Sequence, residues 1–310
     1  MRVLFWGTPE FAAAPLRAMI GEGFEVIGVV TQPDKPQGRS RAVAAPPIKQ
    51  IALDEQIPCF QPATPKDEEF FGMVEVMQPD ISIVVAYGHM LPKRMIELPR
   101  LGTLNIHASL LPLLRGAAPI QAAIRQGFPQ TGVTIMRMIQ ALDAGPIILT
   151  ASSPILDDET YGELQMRLSE LGALALVEAL TLISLGKAIE TPQDDSLATY
   201  SPKVTREDAR VDWALSADEV SRMIRAYDPR PGAFTTLAGL DVKLFGARIV
   251  EGKETDVAPG RVVAVREGIV IACGDGLLCV RDVQAAGRSR MRSADWARGR
   301  GISVGDTLGG

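Results

Sequence analysis

The chain has 310 residues, room for one large domain or two ordinary ones, with 46% hydrophobic and 22% charged side chains. That balance excludes a disordered or fibrous chain, and the net charge of −5 excludes a general nucleic-acid coat while leaving room for a local basic site. Residues 207–310 carry 15 Lys/Arg against 15 Asp/Glu, so an Arg cluster stands out more there than in residues 1–206, which carry 17 against 22.

"MRVLFWGTPE" meets Pro9 and Glu10 too early for a secretion signal. The stretches "RVLFW", "GTPEFAAAPLRAMIGEG" and "FEVIGVVTQ" predict strand, helix and strand, as in a parallel βαβ unit. The first turn, "GTPEF", has one glycine and lacks G-x-G-x-x-G, which argues against a dinucleotide cofactor. Residues 32–49, "QPDKPQGRSRAVAAPPIK", form a long Pro- and Gly-rich insertion with Lys35, Arg39, Arg41 and Lys49 against Asp34. Insertions of this length in a compact domain are usually functional or disordered.

Helices are predicted at "IKQIALDEQ" and "EEFFGMVEVMQ", a fully buried strand at "ISIVVAYG", and further strands at "TLNIH" and "TGVTIMRM" with the helix "AAPIQAAIRQ" between them. Alternation of this kind predicts an α/β, Rossmann-like, mostly parallel sheet covered on both faces. The apolar stretch 170–187 contains Glu178 and is cut by Gly and Lys, so it predicts a buried helix rather than a membrane span. Residues 188–206 are polar, contain two prolines and lack periodicity, and are expected to be a linker. A helix follows at "SADEVSRMIRAY", then short apolar runs broken by Gly and Asp-Gly that favour a small β-barrel or sandwich of antiparallel strands, with an OB-like barrel as the expected form. The expected domains are thus 1–187, a linker at 188–206, and 207–310. Cys59, Cys273 and Cys279 lack metal-ligand spacing and predict reduced thiols in a cytoplasmic protein.

"LNIHASLLPLLRGAAP" puts Asn105 and His107 two apart on a short strand, so both point to one side. Acyl transfer to an amine, with no covalent enzyme intermediate, needs donors for a developing oxyanion and an acceptor for a proton. An amide supplies the first, an imidazole can serve either need, and Asp143, in the turn after strand 132–138, supplies a carboxylate. Each residue alone has a structural explanation, as a turn former or a core histidine. The combination with Leu110, Leu111, Leu113 and Leu114 in the next loop suits a flat aromatic ligand.

These stretches, with "FWGTPEFA", "TQPD", "VVAYGHMLP", "TGVTIMRM…LDAG" and "DWALSADEVSRMIRAYDPRPGA", resemble the folate-dependent formyltransferases over nearly the whole chain. The resemblance implies 10-formyltetrahydrofolate as donor, without a metal, and the α-amino group of methionyl initiator tRNA as acceptor. It implies that Asn105 and His107 hold the formyl oxygen while Asp143 orients His107 and helps remove the amine proton. The folate is expected against Val85, Ala86, Tyr87, Gly88, His89 and Leu91, and against Ser109, Leu110, Leu111 and Pro112. In the family the 32–49 insertion enters the tRNA acceptor stem, which assigns Lys35, Arg39 and Arg41 to tRNA. Arg288, Arg290 and Arg292 of "GRSRMRSADWARGR" are expected on acceptor-arm phosphates. Two departures are the turn to "AVAAPP" in the insertion and "DPRPG", where relatives often carry Trp between the prolines. A monomer is expected. The alternatives are a formyltransferase acting on an amino-sugar nucleotide and a non-catalytic RNA-binding module, neither of which accounts for both the trio and the insertion.

Overall fold

The computed structural model describes residues 1–37, 42–251 and 257–309. It divides into two compact units: Met1–Gly116, Thr131–Pro154 and Gln165–Ser201 in the first, and Ala117–Gln130, Ile155–Leu164 and Pro202–Gly310 in the second.

In the first unit the order is β1 (Arg2–Gly7), α1 (Ala13–Gly21), β2 (Glu25–Val30), β3 (Lys35–Gln37), β4 (Ala42–Ala44) and α2 (Pro47–Asp54). Then follow β5 (Cys59–Phe60), α3 (Glu68–Met77), β6 (Ile81–Val85), α4 (Lys93–Glu97), β7 (Thr103–His107) and β8 (Arg115–Gly116). After α5 (Pro119–Arg125), which belongs to the second unit, come β9 (Gln130–Arg137), β10 (Ile147–Pro154), α6 (Tyr161–Ser184) and β11 (Tyr200–Ser201). Seven strands form one sheet in the order β10-β9-β7-β6-β1-β2-β5. The run from β5 to β7 is parallel, as the alternating pattern predicts, and β9 lies antiparallel to β7. β6 is buried at all five positions because both its faces are covered, which is why its sequence reads as an unbroken apolar run. The 32–49 insertion contributes the β3–β4 hairpin.

The core under the sheet joins Leu4, Trp6, Val30, Phe70, Val74, Val84, Tyr87 and Leu91. Trp6 meets Phe70 and Tyr87 edge to face at 5.8 and 5.2 Å, each contact adding about 0.5–1.5 kcal/mol beyond burial. On the other face Gly172 of α6 brings that helix against Ile106: a Cβ there would lie 3.1 Å from the Ile106 Cγ2. Since Ile106 packs toward α6, its neighbours Asn105 and His107 point away from it.

The second unit holds α7 (Ala217–Ala226), β12 (Ala233–Leu237), β13 (Leu240–Val250), β14 (Val262–Val265), β15 (Ile269–Ala272), β16 (Leu277–Ala285), β17 (Met291–Arg292) and α8 (Ser293–Arg298). Its strands run in the order β12-β13-β16-β15-β14, antiparallel throughout, with β17 on β16. α7 starts at a capping box between Ser216 and Glu219, a motif whose cap residue contributes about 1 kcal/mol. α5 belongs here because it packs on α7, and the Arg125 guanidinium donates to the Tyr227 hydroxyl at 3.0 Å. Among the described residues no helix is long and apolar enough to cross a membrane.

Candidate active site

The carboxyl ends of β1, β6 and β7 lie side by side. Gly7 pairs with Val85 and Val84 with Asn105, so Thr8, Ala86 and His107 are near neighbours across the sheet edge where open α/β sheets bind ligands. On the far side of β7, Asn105 faces Met136 and His107 faces Thr134 of β9.

His107 is buried. Its Nε2 lies 3.0 Å from the carbonyl oxygen of Leu114. A carbonyl only accepts, so Nε2 carries a hydrogen and Nδ1 is protonated only in the imidazolium. Nδ1 lies 3.6 Å from the Asp143 Oδ2, beyond a good hydrogen bond but within ion-pair reach. That same oxygen accepts the Gly116 N–H at 2.8 Å. The structure therefore brings His107 and Asp143 together, with the chain from Leu114 to Gly116 fastening both. Asp143 takes a left-handed backbone with φ of 47°, a conformation Asp tolerates better than most residues. Asn105 is half-buried, and its side chain has no hydrogen-bond partner among the described residues, which leaves its amide available to a ligand.

The leucine loop closes on itself. The Ser109 hydroxyl donates to the Leu113 carbonyl at 2.6 Å. The Thr134 hydroxyl donates to the Ser109 carbonyl at 2.7 Å and accepts the Leu111 N–H at 3.1 Å. Leu111 and Leu114 are buried, Leu110 and Pro112 are half-buried, and Leu113 is exposed. The wall a planar ligand would meet is thus narrower than the four leucines suggest.

The other expected lining residues divide by burial. Val85, Tyr87 and Leu91 point into the core, whereas Ala86, Gly88 and His89 are exposed. Ala86 and Gly88 have φ of 48° and 89°, a sharp turn that presents backbone rather than side chains. Edges of a pteridine need backbone N–H and C=O partners, so the chemistry of this turn fits a folate. The Tyr87 carbonyl accepts the Thr8 hydroxyl at 3.1 Å and the Gln32 amide at 3.0 Å. A Cβ on Gly88 would sit against the Gln32 Nε2, so a larger residue here would have to displace the Gln32 side chain. The Tyr87 hydroxyl is buried without a hydrogen-bond partner among the described residues, and burial pushes its pKa up to about 12.

Of the residues expected on tRNA, Arg39 and Arg41 lie outside the described residues. Lys35 donates to the Gln32 Oε1 at 2.6 Å. Nearby, hydrogen bonds from Lys49 and Gln61 lower the Asp34 carboxyl pKa. In the second unit Arg290 is committed to Asp228 and Asp282, at 2.9 and 3.0 Å, and stacks over Phe245. Its charge is largely neutralised in place. Arg292 is exposed at the start of α8, and the Arg288 N–H donates to the Ala285 carbonyl.

Sequence reasoning missed the supports: Thr134, Arg115, Gln193, Thr199 and Ser201. Residues 191–201, expected as linker, run back over the first unit. Thr191 and Ile147 exchange backbone hydrogen bonds at 2.8 Å, and Tyr200–Ser201 pair in parallel with Arg115–Gly116.

Comparison with known proteins bears on the whole chain. Residues 1–180 match the family model "Formyl transferase", and residues 203–301 match "Formyl transferase, C-terminal domain". A protein of Nitrosospira multiformis named methionyl-tRNA formyltransferase is 44% identical, with 97% of each chain covered. One of the same name from Thiobacillus denitrificans is 44% identical, covering 100% of both. Among solved structures, HypX from Aquifex aeolicus in complex with tetrahydrofolic acid superposes with a TM-score of 0.69 at 22% identity, covering 98% of this chain and 48% of that one.

Proposed function

The chain belongs to the formyl transferase family, and from that premise we propose that it moves the formyl group of 10-formyltetrahydrofolate to the α-amino group of methionyl initiator tRNA. The end-to-end likeness to proteins named methionyl-tRNA formyltransferase carries the acceptor assignment. The bound donor supplies an activated formyl carbon whose leaving group is an amine nitrogen.

The Asn105 amide, unpartnered among the described residues, is the donor for oxygen charge as the amine adds. His107 takes a different part from the one the resemblance implies. Its Nε2–H is engaged by the Leu114 carbonyl, which supports a role in handling the proton rather than in holding the formyl oxygen. Nδ1 accepts the proton released by the amine, the Asp143 carboxylate at 3.6 Å holds the resulting imidazolium, and His107 then gives that proton to the departing nitrogen of the donor, which leaves as the neutral amine. A free α-amino group has a pKa of about 8, so a useful fraction of the nucleophile is neutral near pH 7. The backbone turn at Ala86–Gly88 and the loop Ser109–Pro112 flank the donor. Lys35, Arg39, Arg41 and the exposed Arg292 serve the acceptor arm, and their use makes binding salt-sensitive. The protein acts as a monomer in this reading.

The test is formyl transfer from 10-formyltetrahydrofolate to methionyl initiator tRNA, run beside deacylated tRNA and an amino-sugar nucleotide. Transfer to the charged tRNA alone is expected. Transfer to the amino sugar and not to the tRNA would overturn the acceptor, and no transfer to either would overturn the reaction.

A further inference from the structure

His107 and Asp143 reach the site from different strand ends, and something must fix the distance between them. One side chain touches both of the segments that set it. The Gln193 amide nitrogen donates to the Asp143 carbonyl at 2.8 Å and to the Gly145 carbonyl at 2.7 Å. Its oxygen accepts from the Arg115 guanidinium, from Nε at 3.1 Å and from Nη2 at 2.7 Å. Arg115 is 3% exposed and directly precedes Gly116, whose N–H the Asp143 carboxylate accepts. The contacts close a ring from the Asp143 carboxylate through Gly116 and Arg115 to Gln193 and back to the Asp143 carbonyl.

The rest of the strap holds the other half of that ring. The Arg115 N–H donates to the Thr199 carbonyl at 2.9 Å, and the Leu114 N–H donates to the Thr199 hydroxyl at 2.9 Å. The Ser201 hydroxyl donates to the Leu114 carbonyl at 3.0 Å, the same oxygen that faces His107 Nε2. Gly116 has φ of 117°, and a Cβ there would lie 2.6 Å from the Ser201 carbonyl, so the strap and the loop fit only at this spacing.

We infer that Gln193 is a positioning residue of the transfer reaction, its carboxamide setting where the Asp143 carboxylate stands against the His107 ring. Only a carboxamide suits the place. It offers two hydrogens to two carbonyls and one oxygen to a guanidinium, and all four of these bonds are made. A carboxylate there keeps Arg115 but turns acceptors toward the Asp143 and Gly145 carbonyls, pushing that turn away. A displacement of about 1 Å can cost about 10²-fold in rate without disturbing binding of the reactants.

The inference rests on the formyl-transfer reading, and a double-mutant cycle separates the two. Gln193→Glu, Asp143→Asn and the double variant are assayed with 10-formyltetrahydrofolate and methionyl initiator tRNA beside the unaltered protein. Gln193→Glu is expected to lower kcat about 10²-fold with KM for both substrates within about twofold. On the Asp143→Asn background it should add less than about threefold, since the carboxylate it positions is already gone. A multiplicative loss in the double variant, or a loss carried by KM, would overturn the inference while leaving the reaction in place. An inactive unaltered protein would instead remove the reaction. If Gln193→Glu does not fold, Gln193→Asn keeps the amide but is one methylene too short to span both sides, and the same cycle and criteria apply to it.

Discussion

Asp143→Asn isolates the charge of the carboxylate from its structural bond. Asn tolerates the left-handed backbone that Asp143 adopts, and its amide oxygen can still accept the Gly116 N–H now held at 2.8 Å. What disappears is the attraction for an imidazolium 3.6 Å away. At an effective dielectric of about 20 that attraction is roughly 4–5 kcal/mol, or about three decades in rate at 1.4 kcal/mol per decade. The carboxylate is 14% exposed, and water reaching it trims the figure, so kcat should fall about 10²–10³-fold, within the range of general acid–base groups. KM for the folate and for the tRNA should hardly change. Asp143→Ala should match or exceed that loss and also lower stability by about 1–3 kcal/mol, because the Gly116 N–H is left without its acceptor. Steady-state formyl transfer and thermal unfolding of both variants check the pair of outcomes. An Asp143→Asn variant within tenfold of the unaltered kcat would refute the ion-pair account, and equal destabilisation by Asn and Ala would refute the structural one.

Gly145→Ala puts a Cβ 1.8 Å from the Arg137 carbonyl oxygen, so the turn carrying Asp143 has to move. More than 10²-fold loss of kcat with cooperative unfolding retained is expected, and activity within fivefold would show that the turn is not held as described. The Asp80 carboxyl has its pKa lowered first by the Arg2 backbone N–H and then by Arg100. A depressed folded pKa gives stability that is present above the unfolded value and lost as the pH falls through the folded one. Asp80→Asn should therefore be less stable than the unaltered protein at pH 7, with the gap closing below the ordinary carboxyl value of 3.8. Denaturant melts from pH 7 to pH 2 check this, and a gap independent of pH contradicts it. Tyr87→Phe removes a buried hydroxyl that has no hydrogen-bond partner among the described residues. It should leave thermal stability unchanged or raise it by up to about 1 kcal/mol, and a loss greater than that would mean the hydroxyl has a bonded role.

Apolar runs and turn residues made much of the fold legible in the sequence. β1, α1, β2, β6 and β7 follow directly from them, and the period-two rule put Asn105 and His107 on one side. The antiparallel direction of β9 was not legible, because a strand buried on both faces has the same apolar composition either way round. The membership of Ala117–Gln130 in the second unit depends on α5 meeting α7, a contact about ninety residues away in the chain. No local pattern records such a partner. Gln193 escaped notice for the opposite reason. A polar, proline-containing stretch has the same composition whether it is solvated or strapped over a buried loop, and every bond that Gln193 makes is long-range.

Charge counting in the last hundred residues is blind in a related way to which charges are already paired. The Arg cluster around Arg290 is real in composition, but a formal charge acts at a distance only if no counter-charge holds it. Arg290 spends its guanidinium on Asp228 and Asp282. Reading a histidine from sequence has the same weakness at the scale of one atom. The strand pattern places the His107 ring, yet it cannot say which nitrogen faces a main-chain carbonyl seven residues on. Once the Leu114 oxygen takes the Nε2 hydrogen, the only nitrogen left to exchange a proton is the one beside Asp143. In the proposed mechanism oxyanion stabilisation then falls to the Asn105 amide, and the chemistry is divided between two residues that the sequence motif presents as equivalent.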